Sequence, residues 1–267
     1  MADERKSPTP TTLTVLRTET VSAHMVRVVL GGAGFDAFAP RAETDSYVKL
    51  ELPSEDGPVV RTYTVRRVDL PAREIWIDFV VHGDAGVAGP WARTVAPGTD
   101  VTVRGPGGGY RPDPEADFHL LAGDETAVPA ISAALEALPE DAVGAVFLEV
   151  GDDDDEVSLT APEGVRITWL HRGTPSTHAG PGRIDGDAPL VVALREMPWP
   201  DGDVQVFVHG EAETVMKHLR PLLRSGRGVP ARRASISGYW RRGRTEEGFR
   251  TWKRELAESE PDQQPVR

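Results

Sequence analysis

Cysteine is absent from the 267 residues. Disulfides, thiolate zinc sites and cysteine-ligated iron–sulfur clusters are therefore excluded, so redox chemistry in this chain would need a bound organic cofactor. Long apolar runs are missing too. None approaches the ~20 residues of a membrane-spanning helix, and the opening Met1-Ala2-Asp3-Glu4-Arg5-Lys6-Ser7-Pro8 lacks the apolar centre of a signal peptide. A cytoplasmic protein with no membrane partner is expected. Basic residues are outnumbered, and a net charge of −12 argues against general affinity for nucleic acid. What is present suits a globular protein: 39% hydrophobic residues support real cores, and the length accommodates two domains.

The charge is unevenly spread. Between Arg220 and Arg254 there are 11 basic residues and two acidic ones, so an acidic chain concentrates its cations in one segment. Such a segment either faces an anion or forms a solvated helical face. The run Asp152-Asp153-Asp154-Asp155-Glu156 reads as a solvated loop, because it lacks the glycine and terminal glutamate of a calcium loop. No metal site is expected.

Hydrophobic periodicity changes near Arg111. Before it, Thr12–Leu16, Met25–Leu30, Ser46–Leu52, Val59–Val65, Glu74–Val81 and Asp100–Arg104 are alternating or β-branched runs separated by Gly, Pro and Asp clusters. Six such strands predict an antiparallel barrel. After Pro112-Asp113-Pro114, apolar strands at Phe118–Ala122, Ala145–Val150, Arg166–Leu170, Val204–Val208 and Arg233–Ser237 are interleaved with helices over 127–138, 190–196 and 212–223. That alternation predicts a Rossmann-like, mostly parallel sheet. The expected organisation is a β domain over 1–111, an α/β domain over 115–257 whose last helix spans 246–256, and a disordered tail over 258–267.

Four segments carry candidate chemistry. In Arg61-Thr62-Tyr63-Thr64-Val65-Arg66 an extended backbone would put Arg61, Tyr63 and Val65 on one face and Thr64 and Arg66 on the other. Guanidinium groups bind pyrophosphate bidentately, and a phenol ring and a hydroxyl beside them suit a flavin nucleotide; an ordinary strand with surface arginines would look the same. The segment from His82 to Arg93 is rich in glycine and alanine, which permits close approach to a ligand, and Trp91 is expected to begin a short helical turn. His82 itself reads as a hydrogen-bonded structural residue or a catalyst. The strand-to-helix junctions at Gly123-Asp124-Glu125-Thr126 and His209-Gly210-Glu211 lie where ligands of open α/β sheets gather, with Asp124 or Thr126 as a helix cap and Pro129 in the first turn. Neither has the Gly-x-Gly-x-x-Gly spacing, so capping without a ligand fits them equally well. Tyr110, after the glycine-rich loop, either stacks on an adenine or plugs the barrel.

Taken together, Arg-x-Tyr-Thr-x-Arg at Arg61–Arg66, Asp-Phe-Val-Val-His-Gly at Asp78–Gly83, Leu-Ala-Gly-Asp-Glu-Thr-Ala at Leu121–Ala127, Gly-Glu-Ala at Gly210–Ala212 and Gly-Tyr-Trp-Arg-Arg-Gly at Gly238–Gly243 resemble the siderophore-interacting protein family. These are flavin-dependent ferric-siderophore reductases of the ferredoxin-reductase-like group. The chain departs from the family at Gly89-Pro90, where a polar or basic residue is frequent. The resemblance implies an N-terminal FAD-binding barrel, a C-terminal NAD(P)H-binding-like domain and FAD in the cleft between them. It implies that Tyr63 packs on the isoalloxazine and that Thr64, the catalytic candidate, hydrogen-bonds near the reactive nitrogen. Arg61 and Arg66 would neutralise pyrophosphate, Val80, Val81 and His82 line the ribityl chain and ring edge, and Ala88, Trp91 and Ala92 supply the phosphate turn. Asp124, Thr126 and Glu211 would lie beside the electron-donor site, with Tyr239 and Trp240 bordering the flavin or forming core. A ferric siderophore of catecholate or mixed type is anionic, so Lys49, Arg241 and Arg242 are the substrate-binding candidates. NAD(P)H or reduced ferredoxin would supply electrons. A flavin reductase or ferredoxin–NAD(P) reductase-type electron carrier, and a siderophore-binding module without turnover, are the alternatives.

Overall fold

A computed structural model describes residues 10–82, 86–174, 184–244, 248–249 and 251–252. Most of the helix expected over 246–256 lies outside the described residues, as do the tail, Gly83-Asp84-Ala85 of the small-residue segment, and Arg250, Lys253 and Arg254 of the basic run. The chain divides into two compact units, Met1–Arg111 and Pro112–Arg267.

The first unit is built on period-two burial. In β3 (Tyr47–Leu52), Val48, Leu50 and Leu52 are fully buried while Tyr47 and Lys49 are exposed, the pattern of a strand with one face on a core. With β1 (Thr11–Ser22), β2 (Met25–Gly31), β4 (Val59–Thr64), β5 (Arg67–Asp69), β6 (Glu74–Val80) and β7 (Asp100–Gly107) it forms one antiparallel sheet in the order β4-β3-β7-β1-β2-β6-β5. The sheet has seven strands rather than the six expected. The addition is β5, whose Arg-Val-Asp is too short and too polar to register as a buried run. A helix, α1 (Ala88–Thr94), packs between β6 and β7 in sequence, with Ala88 and Ala92 in the core.

The two outer strands of this sheet, β4 and β5, are consecutive in the chain. Val65 and Arg66 carry the backbone from one edge to the other: Val65 N–H donates to the Ser46 carbonyl at 2.7 Å and Arg66 N–H to the Trp76 carbonyl at 2.8 Å. β5 pairs only with Glu74–Trp76, so the rest of β6 has no ladder on that side, and β4 is laddered to β3 alone among the described residues. Side chains bridge this seam instead, with the Tyr63 and Phe79 ring centroids 4.2 Å apart.

The second unit has β8 (Phe118–Asp124), α2 (Val128–Glu136), β9 (Gly144–Val150), β10 (Val165–His171), α3 (Pro189–Glu196), β11 (Val204–Glu211), a helical run over 212–226 and β12 (Ala234–Trp240). Its sheet is parallel, in the order β10-β9-β8-β11-β12. Strand order reverses between β8 and β11, the switch point at which open α/β sheets bind ligands. Leu120, Val206 and Val208 pack with Leu194, Val215 and Leu219 as the core of one face. The helical run was expected to be regular over 212–223; it contains π-helical stretches at Thr214–Leu219 and Leu222–Gly226, which hydrophobic periodicity does not announce. The Asp152–Glu156 run forms a 3₁₀ turn at Asp153–Asp155, with Glu156 bound to His171 at 2.8 Å. No helix among the described residues is long and apolar enough to cross a membrane.

Candidate functional site

The seam of the first unit gathers most of the residues singled out there. Residues directly opposite one another in a ladder share a face. Arg61 and Tyr63 lie opposite the buried Leu50 and Val48, while Thr62 and Thr64 lie opposite Lys49 and Tyr47 on the outer face. Arg61 and Tyr63 thus share a face, as alternation predicts. The alternation stops with the strand at Thr64: Val65 is 4% exposed and Arg66 already follows the β6 side. A row of rings runs from Tyr63 through Phe79 to Trp91, the last two centroids 5.5 Å apart, and ties β4, β6 and α1 together. Val80 ends β6, Val81 is buried with its amide donated to the His24 carbonyl at 2.8 Å, and His82 is half-buried.

One expectation in this unit needs correction. Trp91 does not begin the helical turn: α1 starts at Ala88, and the Trp91 amide is bonded to the Val87 carbonyl at 3.1 Å. Pro90 has no N–H, so Ala88 and Gly89 are the free-end donors of the turn. The Ala88 and Ala92 side chains pack into the core. Tyr110 is 4% exposed, and burial pushes its phenol pKa upward; it plugs the unit. The Asp45 carboxylate holds its loop by accepting the Gly109 and Tyr110 amides at 2.8 Å each.

In the second unit the strand ends are knotted together. Asp124, at the end of β8, accepts four hydrogen bonds: from the Thr126 amide at 2.9 Å, the Thr126 hydroxyl at 2.5 Å, the Glu211 amide at 2.7 Å and Trp240 Nε1 at 2.8 Å. One carboxylate therefore joins β8, β11 and β12 across the switch point. Close packing requires glycine here. A Cβ on Gly210, whose φ is +150°, would sit 2.8 Å from the Asp124 carboxylate, and one on Gly123 would sit 2.3 Å from the His209 carbonyl. The expected side-chain cap of α2 is absent; Asp124 closes a turn onto Thr126 and the helix begins after Ala127. Glu211 caps the next helical run instead, accepting the Glu213 and Thr214 amides at 2.7 and 2.9 Å, and its other oxygen takes the Arg242 amide at 3.2 Å.

A second buried knot adjoins the first and was not foreseen. Arg172, 3% exposed, makes a bidentate pair with Glu125 at 2.7 and 2.9 Å and reaches Glu149 at 3.4 Å, while Glu149 receives the Leu190 amide at the start of α3. The one sequence signal was Glu149, a lone acid in the apolar strand Ala-Val-Phe-Leu-Glu-Val. Burial pushes the Asp124 carboxyl up to about 7, with Glu125 adding to the rise against the bonds from Thr126 and Trp240. Burial raises Glu149 as well, opposed by Arg172. The cavity among Asp124, Glu149, Arg172, Glu211, Trp240 and Arg242 is about 20 Å³, room for a single water and not for a nucleotide.

The remaining candidates are dispersed. Tyr239 packs on His209, which stacks on Phe207, at centroid distances of 4.6 and 4.1 Å. Arg241 lies over the Trp252 ring at 4.5 Å and 4.0 Å from Glu213. Much of the basic run serves the fold: Arg224 donates to the Val229 carbonyl, Arg227 to the Arg195 and Met197 carbonyls, and Arg233 pairs with Asp113 and Asp203.

Comparison with known proteins accounts for both units. The model of the siderophore-interacting FAD-binding domain matches residues 14–58 and 51–110, and that of the siderophore-interacting protein matches residues 116–243. An uncharacterized protein of Mycobacterium tuberculosis is 52% identical over 92% of this chain and 95% of its own length. The ferric vibriobactin reductase ViuB of Vibrio cholerae is 36% identical over 93% of this chain and 96% of its own. Among solved structures, a siderophore utilization protein from T. fusca is similar at a TM-score of 0.79 and 38% identity, covering 91% of this chain and 96% of that one. The chain therefore belongs to the siderophore-interacting protein family.

Proposed function

We propose that this chain is a cytoplasmic FAD-dependent ferric-siderophore reductase, which reduces Fe(III) in an imported siderophore complex so that Fe(II) can leave. The observation that carries the reading is the donor set at the seam of the first unit, inside the region matched by the FAD-binding domain model. That set suits FAD. Arg61 and Arg66 carry planar forks suited to a pyrophosphate, Tyr63 an aromatic surface and Thr64 a hydroxyl, all at a strand edge with no ladder partner among the described residues.

In this reading Arg61 and Arg66 hold the pyrophosphate, and the Ala88 and Gly89 amides of α1 take over the role first given to Trp91 and Ala92. Tyr63 orients the isoalloxazine, Thr64 directs a hydrogen bond at its reactive edge, and Val80, Val81 and His82 keep water from its rim. When bound, FAD takes up two electrons together and releases them singly, which couples NAD(P)H to one-electron ferric iron. One NAD(P)H serves two ferric ions and leaves one proton; reduced ferredoxin would serve one. Lys49, Arg241 and Arg242 attract the anionic chelate. Asp124, Thr126 and Glu211 act near the electron donor by shaping the strand ends, since their side-chain atoms are held by internal bonds.

The experiment is stopped-flow reduction of the yellow holoprotein by NADH, NADPH and reduced ferredoxin in turn, followed by ferric catecholate and ferric hydroxamate chelates with a ferrous trap. Rapid ferrous formation with at least one donor and chelate is expected. Flavin reduction without ferrous iron would make the protein an electron carrier for another acceptor. Chelate binding by a protein devoid of flavin would make it a binding module.

A further inference from the structure

Tyr47 is anomalous for a residue with no role in the fold. It is the one aromatic among the large hydrophobic side chains that stand exposed in the described residues, at 40% exposure. Its ring nonetheless lies close against the neighbouring strand. Gly107, opposite it on β7, has ring atoms at 2.6–2.9 Å from where a Cβ would be, so the phenol lies against bare backbone and any larger residue would displace it. Its side chain makes no hydrogen bond and no ring contact among the described residues. Two positions along the same face, Lys49 is exposed and has no ion pair among the described residues, whereas its cross-strand neighbour Arg104 is already bound to Glu51. Across the ladder, Tyr47 faces Thr64 and Lys49 faces Thr62. A braced, uncommitted ring and an uncommitted ammonium therefore sit side by side, one strand from the candidate flavin segment.

We propose that Tyr47 is a specificity-determining residue: its ring stacks on a planar aryl group of the ferric chelate while Lys49 meets the negative charge, so the site prefers aryl-bearing chelates of the catecholate class to hydroxamates. The inference rests on the reading of the chain as a ferric-siderophore reductase and deepens it. The chemistry favours this class. Aromatic rings attract one another in offset or tilted stacks, an ammonium is attracted to catecholate oxygens, and an aliphatic, neutral hydroxamate complex offers neither feature. Rigid bracing by Gly107 lowers the ordering cost of the contact.

The test uses the FAD-loaded protein as wild type and as Tyr47→Ala, Tyr47→Phe, Gly107→Ala and Lys49→Ala. Each is titrated by equilibrium dialysis with a ferric tris-catecholate and with a ferric tris-hydroxamate, and flavin content is read from absorbance. Tyr47→Ala is expected to weaken catecholate binding roughly three- to ten-fold, the size of one aromatic pair, and to leave hydroxamate binding unchanged. Tyr47→Phe is expected to bind as wild type does, and Gly107→Ala to copy Tyr47→Ala without touching the ring's chemistry. Equal losses for both chelates, or no loss for either, would overturn the proposal while leaving the reductase reading intact. Loss of flavin from Tyr47→Ala would also overturn it, by assigning the ring to the cofactor. If the wild type binds neither chelate, the reductase reading and the inference fall together.

Discussion

Arg61, within β4 of the first unit, and Arg172, just past β10 of the second, are both arginines beside strands, and their surroundings differ. Arg172 is 3% exposed, its guanidinium clamped by Glu125 and Glu149, and the neighbouring Asp124 is saturated by donors from three chain segments. Arg61 is half-buried on a strand that, among the described residues, is laddered on one side alone, in a segment of hydroxyls and rings. Polar groups that bind each other stabilise a fold, and the strand ends of the C-terminal unit are such a self-satisfied scaffold; the cofactor site proposed above lies instead at the seam of the N-terminal unit.

The most severe way to probe this contrast is to remove Arg172. Arg172→Ala leaves two buried carboxylates without their cation, and a loss of about 3–5 kcal/mol is expected, read as a lower urea midpoint. Arg61→Ala is expected to leave the midpoint of the flavin-free protein nearly unchanged. Comparable losses in both would erase the distinction.

Asp124→Asn is the next largest. The ionised carboxylate accepts from the Glu211 amide and the Trp240 indole through one oxygen and from Thr126 through the other, and an amide NH₂ accepts from none of them, so about 1–3 kcal/mol should be lost above pH 7. The pH dependence has a definite sign. With Asp124 pushed up to about 7 in the fold and near 3.9 when unfolded, the native state binds the extra proton between these values. Its contribution to stability is therefore greatest at acid pH and declines as pH rises from about 4 towards 7. Stability curves against pH should show that decline in the wild type and lack its Asp124 component in Asp124→Asn. An unchanged slope would mean Asp124 is charged throughout.

The smallest expected effect concerns the substrate cations. Arg241 is stacked on Trp252 and near Glu213, while Lys49 has no ion pair among the described residues. Lys49→Ala should weaken anionic catecholate binding more than Arg241→Ala does, because the Arg241 guanidinium is already engaged by a ring and a carboxylate. The reverse order in a direct titration would move the substrate face to the second unit.

The two-layer character of the chain was legible because burial has a period. Val48, Leu50 and Leu52 against Tyr47, Lys49 and Glu51 announce β3, and the apolar Val204–Val208 announces β11. β5 was missed because three residues carry no period, and the π-helical turns because their spacing changes without a change of composition. At the sites, the sequence displayed residue types but not partners. The basic run could be read as an anion-binding surface or a solvated face, yet Arg224 binds the nearby Val229 carbonyl, and Arg227 and Arg233 find carbonyls and aspartates far away in the chain. Arg172 gave no local signal, since its meaning depends on Glu125, from the turn after β8, and Glu149, from β9.

The flavin content of Arg61→Ala, Tyr63→Ala protein, compared with wild type and with Asp124→Asn, tests the central claim most directly. About one FAD per chain in wild type and Asp124→Asn, with clear loss of the cofactor from the folded double variant, is the result predicted by a cofactor site at the N-terminal seam. Full retention by the double variant, or loss confined to Asp124→Asn, would contradict it.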